Sequence, residues 1–285
     1  MATDHLTNDG VWGTGANWQP GGSVPAGAAT CMIGPALTVN VTDVAGDAET
    51  NDLGVVHVHR GYKASFGTTG APIQLGSALV QLNSSGPCFL EASLNSSAAM
   101  DINNIIVALA RSDVVCEIGS KTGDAGEIDM IRLFRGDVLL KANLNYAAAT
   151  EVHVGHITNP ASDVNLTLAT NAEAMPVLHQ TAGFCHSSTE ITLVHLDHAR
   201  LHQDTAKIVT AYIGAGGYLR YDYIAIDADN TIFHVYAGGT LDFTGTEYYK
   251  TVDEVHVYPG GKFLYDPRTT AFATGLYDYS KSVAA

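Results

Sequence analysis

Apolar and polar residues alternate along much of this chain. In residues 254–261 (Glu-Val-His-Val-Tyr-Pro-Gly-Gly), Val255 and Val257 alternate with His256 and Tyr258. In an extended backbone that alternation puts the valines on one face and the ring residues on the other. The same phrase recurs at residues 55–61, 151–155 and 232–239, with looser copies at 131–136, 192–197 and 210–217. Gly-Gly pairs beginning at Gly216, Gly238 and Gly260 recur every 22 residues, and a second short alternating stretch follows each. The unit therefore reads as strand, glycine turn, strand, looser turn. Upstream the interval drifts over about 19–26 residues, within the range of solenoid repeats.

One such unit cannot bury its apolar face alone, whereas stacked units share one continuous core. The pattern predicts an all-β chain, a single-domain parallel β-helix (β-solenoid) of about ten coils with an N-terminal cap. A propeller blade needs about twice this period. A jelly-roll sandwich is the alternative, since it also uses many short strands. The best helical candidate, residues 99–110, is rich in β-branched residues and reads as strand. The repeat divides the chain into an N-terminal arm and cap (1–36), the solenoid (37–267) and a closing cap or docking tail (268–285). It is clearest over 189–266; over 67–183 it rests mostly on alternation.

Composition narrows the functions. Charged residues make up only 15% of the 285 residues and the net charge is −15. A nucleic-acid surface needs clustered Lys and Arg, so neither nucleic acid nor an anionic membrane is an expected partner. The first ten residues lack the basic and apolar regions of a signal peptide, which points to synthesis in the cytosol of the producing cell. Cys31, Cys88, Cys116 and Cys185 are widely spaced, without metal or redox spacing, and are expected as buried free thiols.

Histidine is the main chemical lure. His57 and His59 form a His-x-His pair that could grip a metal where chains meet at a symmetry axis. The competing expectation is that His153, His195, His234 and His256 fill one repeated outward slot and stack as a ladder. Aligned on the Gly-Gly pairs, Tyr236 and Tyr258 share a slot, whereas Tyr212 falls into the histidine slot. These rings could pack against a partner chain or stack on sugars. Asp222, Asp227, Asp229 and Asp242 are the candidate carboxylates for glycan cleavage. No catalytic residue and no cofactor is expected.

Residues 10–25 carry both tryptophans and no repeat, and suit a cap over the first coil. This stretch resembles the Asn-Trp…Gly…Pro opening of secreted and phage β-helices, including autotransporter passengers, through Asn17, Trp18, Gly22 and Pro25. In general plan the chain also resembles pectin-lyase-like β-helices, without their Asn-Thr-Asp, Asp-Asp and Arg-Ile-Lys site motifs. The resemblance implies a bacteriophage virion protein, made in the host cytoplasm and displayed on the virion surface. It would be a capsid-decorating (cement) protein or a short tail-associated fibre, assembled as a homotrimer. Major capsid or tail proteins would then be its partners. Trp12, Trp18, Tyr212, Tyr236, Tyr258, His234 and His256 are its expected interaction residues. The alternative function is a tail-spike-like protein that binds or cleaves a surface polysaccharide through the tyrosines and the Asp222/Asp242 region.

Overall fold

The computed structural model describes residues 3–7, 9–20, 22–25, 29–43, 52–93, 102–122, 126–155, 163–223, 231–245 and 250–279. The described residues are all-β: 22 strands account for their regular structure, with one three-residue 3₁₀ turn at Gly15–Asn17. It divides into two compact units, Met1–Thr150 with Asp163–Asn165 and Glu151–Ser162 with Leu166–Ala285.

The first unit contains β1 (Thr3–Leu6), β2 (Trp18–Gln19), β3 (Thr30–Ile33), β4 (Asp52–Val58), β5 (Ile73–Leu82), β6 (Cys88–Ala92), β7 (Ile105–Ala108), β8 (Val115–Ser120) and β9 (Glu127–Leu140). The strands β1, β3, β4, β5, β7 and β9 pair in parallel, each with the next. Their registers put Leu6, Ile33, Val58, Leu82, Val107 and Leu133 in one column, and all six are buried. A second column, Cys88–Cys116–Val138, runs through β6, β8 and β9 and is equally buried. All four cysteines are free and buried. Burial pushes the Cys88 thiol up to about 12, so it stays protonated and unreactive at neutral pH.

The N-terminal segment, expected as a cap, is built around the two indoles. Trp12 and Trp18 are fully buried and meet edge to face, ring centroids 4.9 Å apart at 74°. Trp18 Nε1 donates to the Trp12 carbonyl at 2.8 Å. Asn17 Nδ2 donates to the Val11 carbonyl (3.0 Å) and to Asp9 Oδ1, and the Asn17 carbonyl accepts from the Thr7 amide and hydroxyl. The Asn-Trp pair thus closes the cap on itself. Within residues 1–36, β1 and β3 already join the parallel pairing, which therefore begins earlier than the repeat suggested.

The second unit begins with the end of β10 (Asn145–Val154) and includes the second half of β11 (Asp163–Leu168). It continues with β12 (Met175–Gln180), β13 (Phe184–Ser187), β14 (Ile191–Leu196), β15 (Arg200–Gln203), β16 (Ile208–Ile213) and β17 (Tyr218–Tyr221). The last five strands are β18 (Ile232–Val235), β19 (Thr240–Asp242), β20 (Lys250–Val257), β21 (Lys262–Leu264) and β22 (Thr270–Asp278). Each strand pairs in parallel with the strand two further along: β10, β12, β14, β16, β18, β20 and β22 form one series, and β13, β15, β17, β19 and β21 another. A jelly roll would pair its strands antiparallel, and these registers are parallel throughout. Val152, Leu178, Val194, Ala211, Phe233 and Val255 align in register and are fully buried. β22 lies in the stretch expected to leave the repeat, yet it pairs with β20 over most of its length.

The Gly-Gly pairs have two jobs. Gly216, Gly238 and Gly260 adopt φ of +69°, +80° and +83°, the left-handed corner expected of them. Gly217, Gly239 and Gly261 are needed for space: a Cβ on each would lie 2.4 Å from the carbonyl oxygen of Leu196, Ile213 or Val235, on the preceding strand of the series. A left-handed φ costs alanine about 1–2 kcal/mol, whereas a side chain driven into a neighbouring carbonyl must displace the backbone. Gly239→Ala is therefore expected to lower the melting temperature more than Gly238→Ala. Equal losses in thermal unfolding would contradict the close-approach argument.

Candidate functional site

In-register parallel pairing brings like residues together outside the core. His153, His179, His195, Tyr212, His234, His256 and Tyr277 occupy equivalent positions on the seven strands from β10 to β22. Their rings stack with consecutive centroid separations of 4.7, 4.8, 5.1, 4.9, 4.8 and 4.7 Å and interplanar angles of 6° to 20°. These separations follow from the roughly 4.8 Å spacing of neighbouring strands. Two residues further along, Tyr236, Tyr258 and Tyr279 form a second stack at 4.7 and 5.3 Å. Cross-bonds join the two: His234 Nδ1 lies 3.3 Å from the Tyr258 hydroxyl and His256 Nδ1 3.4 Å from that of Tyr279. Glu151 and Glu254 each sit 2.8 Å from the Nε2 of the histidine two residues on.

Stacking decides what this surface can offer. A sugar ring packs on the face of an aromatic side chain. From His179 to His256 both faces of every ring are covered by the neighbouring rings, so only nitrogens, hydroxyls and ring edges remain open. Tyr212 lies in the histidine slot, as the Gly-Gly alignment anticipated, and Tyr236 and Tyr258 share theirs. His179 and Tyr277 also belong to the ladder and were not among the expected members. His179 stands in Val-Leu-His-Gln, outside the Val-His-Val phrase, and Tyr277 in the presumed tail.

The packing disfavours charge. Burial, reinforced by neighbouring histidines, lowers the pKa of His179 and His234 below 6.5. His234 is faced by Tyr212, His256, Tyr236 and Tyr258, with Glu254 close enough to act in the opposite direction. Below pH 6.5 the unfolded chain binds protons that this imidazole refuses in the fold. Stability is then lost as pH falls from about 6.5 toward the lower folded value. The wild-type melting temperature is expected to drop between about pH 7.5 and 5.5, and His234→Phe, which keeps a ring in the stack, to drop less. Identical pH profiles would refute this contribution.

A second outward column aligns His186, His202, Arg220 and Asp242 in register. Beside it, Asp222 Oδ2 accepts from Arg220 Nε at 2.7 Å and lies 2.8 Å from His202 Nε2. Asp242 is bonded to the Tyr218 hydroxyl and to the hydroxyl and amide of Thr244. Burial works to raise the Asp242 pKa, but the hydrogen bonds from Thr244 and Tyr218 and the charge of Arg220 outweigh it, and the net shift is downward. A glycosidase acid needs a raised pKa, so Asp242 does not suit that role. Asp227 and Asp229 lie outside the described residues.

No family model, curated protein or solved structure matches the chain. Its own geometry is therefore the basis for interpretation, and it corrects the docking role expected of the tryptophans. Trp12 and Trp18 are fully buried and cannot act as exposed docking residues; they form the interior of the cap. His57 and His59 are each engaged locally, His59 Nδ1 accepting from the Gly61 amide (3.0 Å) and His57 Nε2 lying 3.1 Å from Asn83 Nδ2. Their rings are 6.1 Å apart and tilted by 44° rather than converging on one ion. His195 stacks in the first ladder, His202 lies in the second column, and His198 makes a corner with φ of +53°.

Proposed function

We propose that this protein is a structural component of a bacteriophage virion, a capsid-decorating (cement) protein that binds the capsid surface as an oligomer. In this reading the strands form the coils of one parallel β-helix, and three such chains associate. The single observation that carries it is the outward ladder, whose rings satisfy one another and leave an ordered row of polar edges. Such a surface suits contact with a fixed neighbour better than capture of a diffusing glycan. The strand-by-strand parallel stepping supports the β-helix, and the N-terminal resemblance supports the virion setting. Tyr212, Tyr236, Tyr258, His234 and His256 remain the interaction residues; Tyr236 is 38% exposed and Tyr279, which the sequence did not single out, 39%.

Quantitative mass spectrometry of purified particles tests this reading. Tens to hundreds of copies per particle are expected for decoration, together with a trimeric mass by light scattering for the isolated protein. A few copies per particle would point to a tail location instead. Release of reducing ends or unsaturated sugars from host polysaccharide would overturn the non-enzymatic reading.

A further inference from the structure

The histidine ladder has two carboxylate-flanked ends, and they differ. At both, the phrase Glu-Val-His-Val puts a glutamate two residues before a ladder histidine, on the same outward face. At the Glu254/His256 end, Tyr258 and Tyr279 meet the Nδ1 atoms of His234 and His256 and fill the space beside the rings. At the other end the corresponding positions, two residues after His153 and His179, are Gly155 and Thr181. Neither of these residues carries a ring that could meet the Nδ1 atoms as the tyrosines do.

Glu151, His153 and His179 each offer one ligand atom, and these atoms all lie within 4.8 Å of one another. Among the described residues they are the one group of three histidine, cysteine or carboxylate donors so placed. Glu151 and His153 share the β10 strand, with Glu151 Oε2 2.8 Å from His153 Nε2, and His179 is the register partner of His153 on β12. The side chains of His153 and Glu151 are 36% and 42% exposed, so an ion can reach them directly from water.

We propose that Glu151, His153 and His179 form a binding site for a single divalent transition-metal ion of the zinc class. Two imidazole nitrogens and one carboxylate oxygen are a donor set that suits Zn²⁺, Co²⁺ or Ni²⁺ and not the all-oxygen preference of Mg²⁺ or Ca²⁺. Zn–N bonds of about 2.0–2.1 Å place tetrahedral donors roughly 3.4 Å apart. Closing from at most 4.8 Å requires each ring to tilt out of the stack by less than about 1 Å at its nitrogen, which half-exposed side chains beside Gly155 can do. The ion takes the place of the direct Glu151–His153 contact, and water completes the coordination. This site is independent of the virion reading; a cement protein and a glycan-binding protein could both carry it.

Titration of the full chain with Zn²⁺ at pH 7.5, followed calorimetrically with Mg²⁺ as the control, tests it. One Zn²⁺ per chain is expected, with affinity reduced at least about tenfold in Glu151→Gln and in His179→Gln, since even outer-shell changes cost that much at metal sites. His256→Gln at the opposite end should bind as the wild type does. Co²⁺ supplies a second readout, because a nitrogen- and oxygen-ligated tetrahedral ion gives a visible absorption band that Glu151→Gln should abolish or shift. Absence of saturable Zn²⁺ binding would overturn the proposal. Binding that Glu151→Gln and His179→Gln leave unchanged would overturn it equally, by putting the ion elsewhere.

Discussion

Lys250→Ala is expected to destabilise the second unit by about 3–5 kcal/mol, the cost of breaking a buried ion pair by removing one partner. Lys250 opens β20 with its side chain 1% exposed. Its Nζ donates to the carbonyls of Tyr221 and, at 3.3 Å, Phe243, and lies 3.9 Å from Asp222 Oδ1. That carboxylate oxygen is buried and has no hydrogen bond among the described residues. Truncation would leave two carbonyls and a carboxylate facing a cavity. Lys250→Met should cost less, because it fills the volume and Asp222 keeps Arg220 and His202 as partners. Urea unfolding gives both values; a loss below about 1 kcal/mol for Lys250→Ala would remove Lys250 from the stabilising set.

The same residue has a pH signature. Burial lowers the Lys250 pKa to about 8, although Asp222 and Asp242 act to raise it. Its ordinary value is 10.5. Between these limits the unfolded chain binds more protons than the fold does, so this group's contribution to stability rises with pH across the window. Tyr62 and Tyr221 act oppositely above about pH 10, because burial raises both phenols and the fold retains protons that the unfolded chain releases. A gain from about pH 8 that Lys250→Met lacks, reversing above about pH 10, is the expected profile.

Trp18→Ala is expected to cost about 3–5 kcal/mol of cap stability, the range for removing a fully buried aromatic. The indole loses its edge-to-face contact with Trp12 and its bond to the Trp12 carbonyl. A double-mutant cycle with Trp12→Ala should return a coupling of about 0.5–1.5 kcal/mol. Because these are the chain's two tryptophans, fluorescence of the one left in each single variant reports on the cap. Unchanged cap unfolding in Trp18→Ala would contradict the packing described above and restore a docking role.

These residues show what the sequence could and could not convey. Alternation is imposed by burial, so the core columns through Val152, Val194 and Val255 were legible, as were the corners at Gly216, Gly238 and Gly260. The outer slot obeys a weaker rule, that its residues stack, which histidine and tyrosine satisfy equally. Tyr212 was placed through its glycine corner, whereas His179 has no Gly-Gly pair to align on. Spacing added to the difficulty: His179, His195 and Tyr212 follow at sixteen and seventeen residues, shorter than the expected interval. Lys250 gave no signal, because its partners Tyr221, Asp222 and Phe243 are brought to it only by the pairing of strands. The tryptophans stood out in a stretch without the repeat, but their number and position did not reveal that both are wholly enclosed.

The central claim is that neighbouring strands of the second unit run parallel and in register, one ladder position above the next. Cysteine pairs test it directly, since the native thiols are buried and a disulfide cannot span much beyond about 7 Å between Cα atoms. In-register neighbours are about 4.8 Å apart and next-but-one strands about twice that. Under diamide oxidation of dilute protein, His195→Cys with Tyr212→Cys, and Tyr212→Cys with His234→Cys, should close intramolecular disulfides. His195→Cys with His234→Cys should not. Closure of that last pair, or failure of both neighbouring pairs with the fold intact, would contradict the in-register ladder.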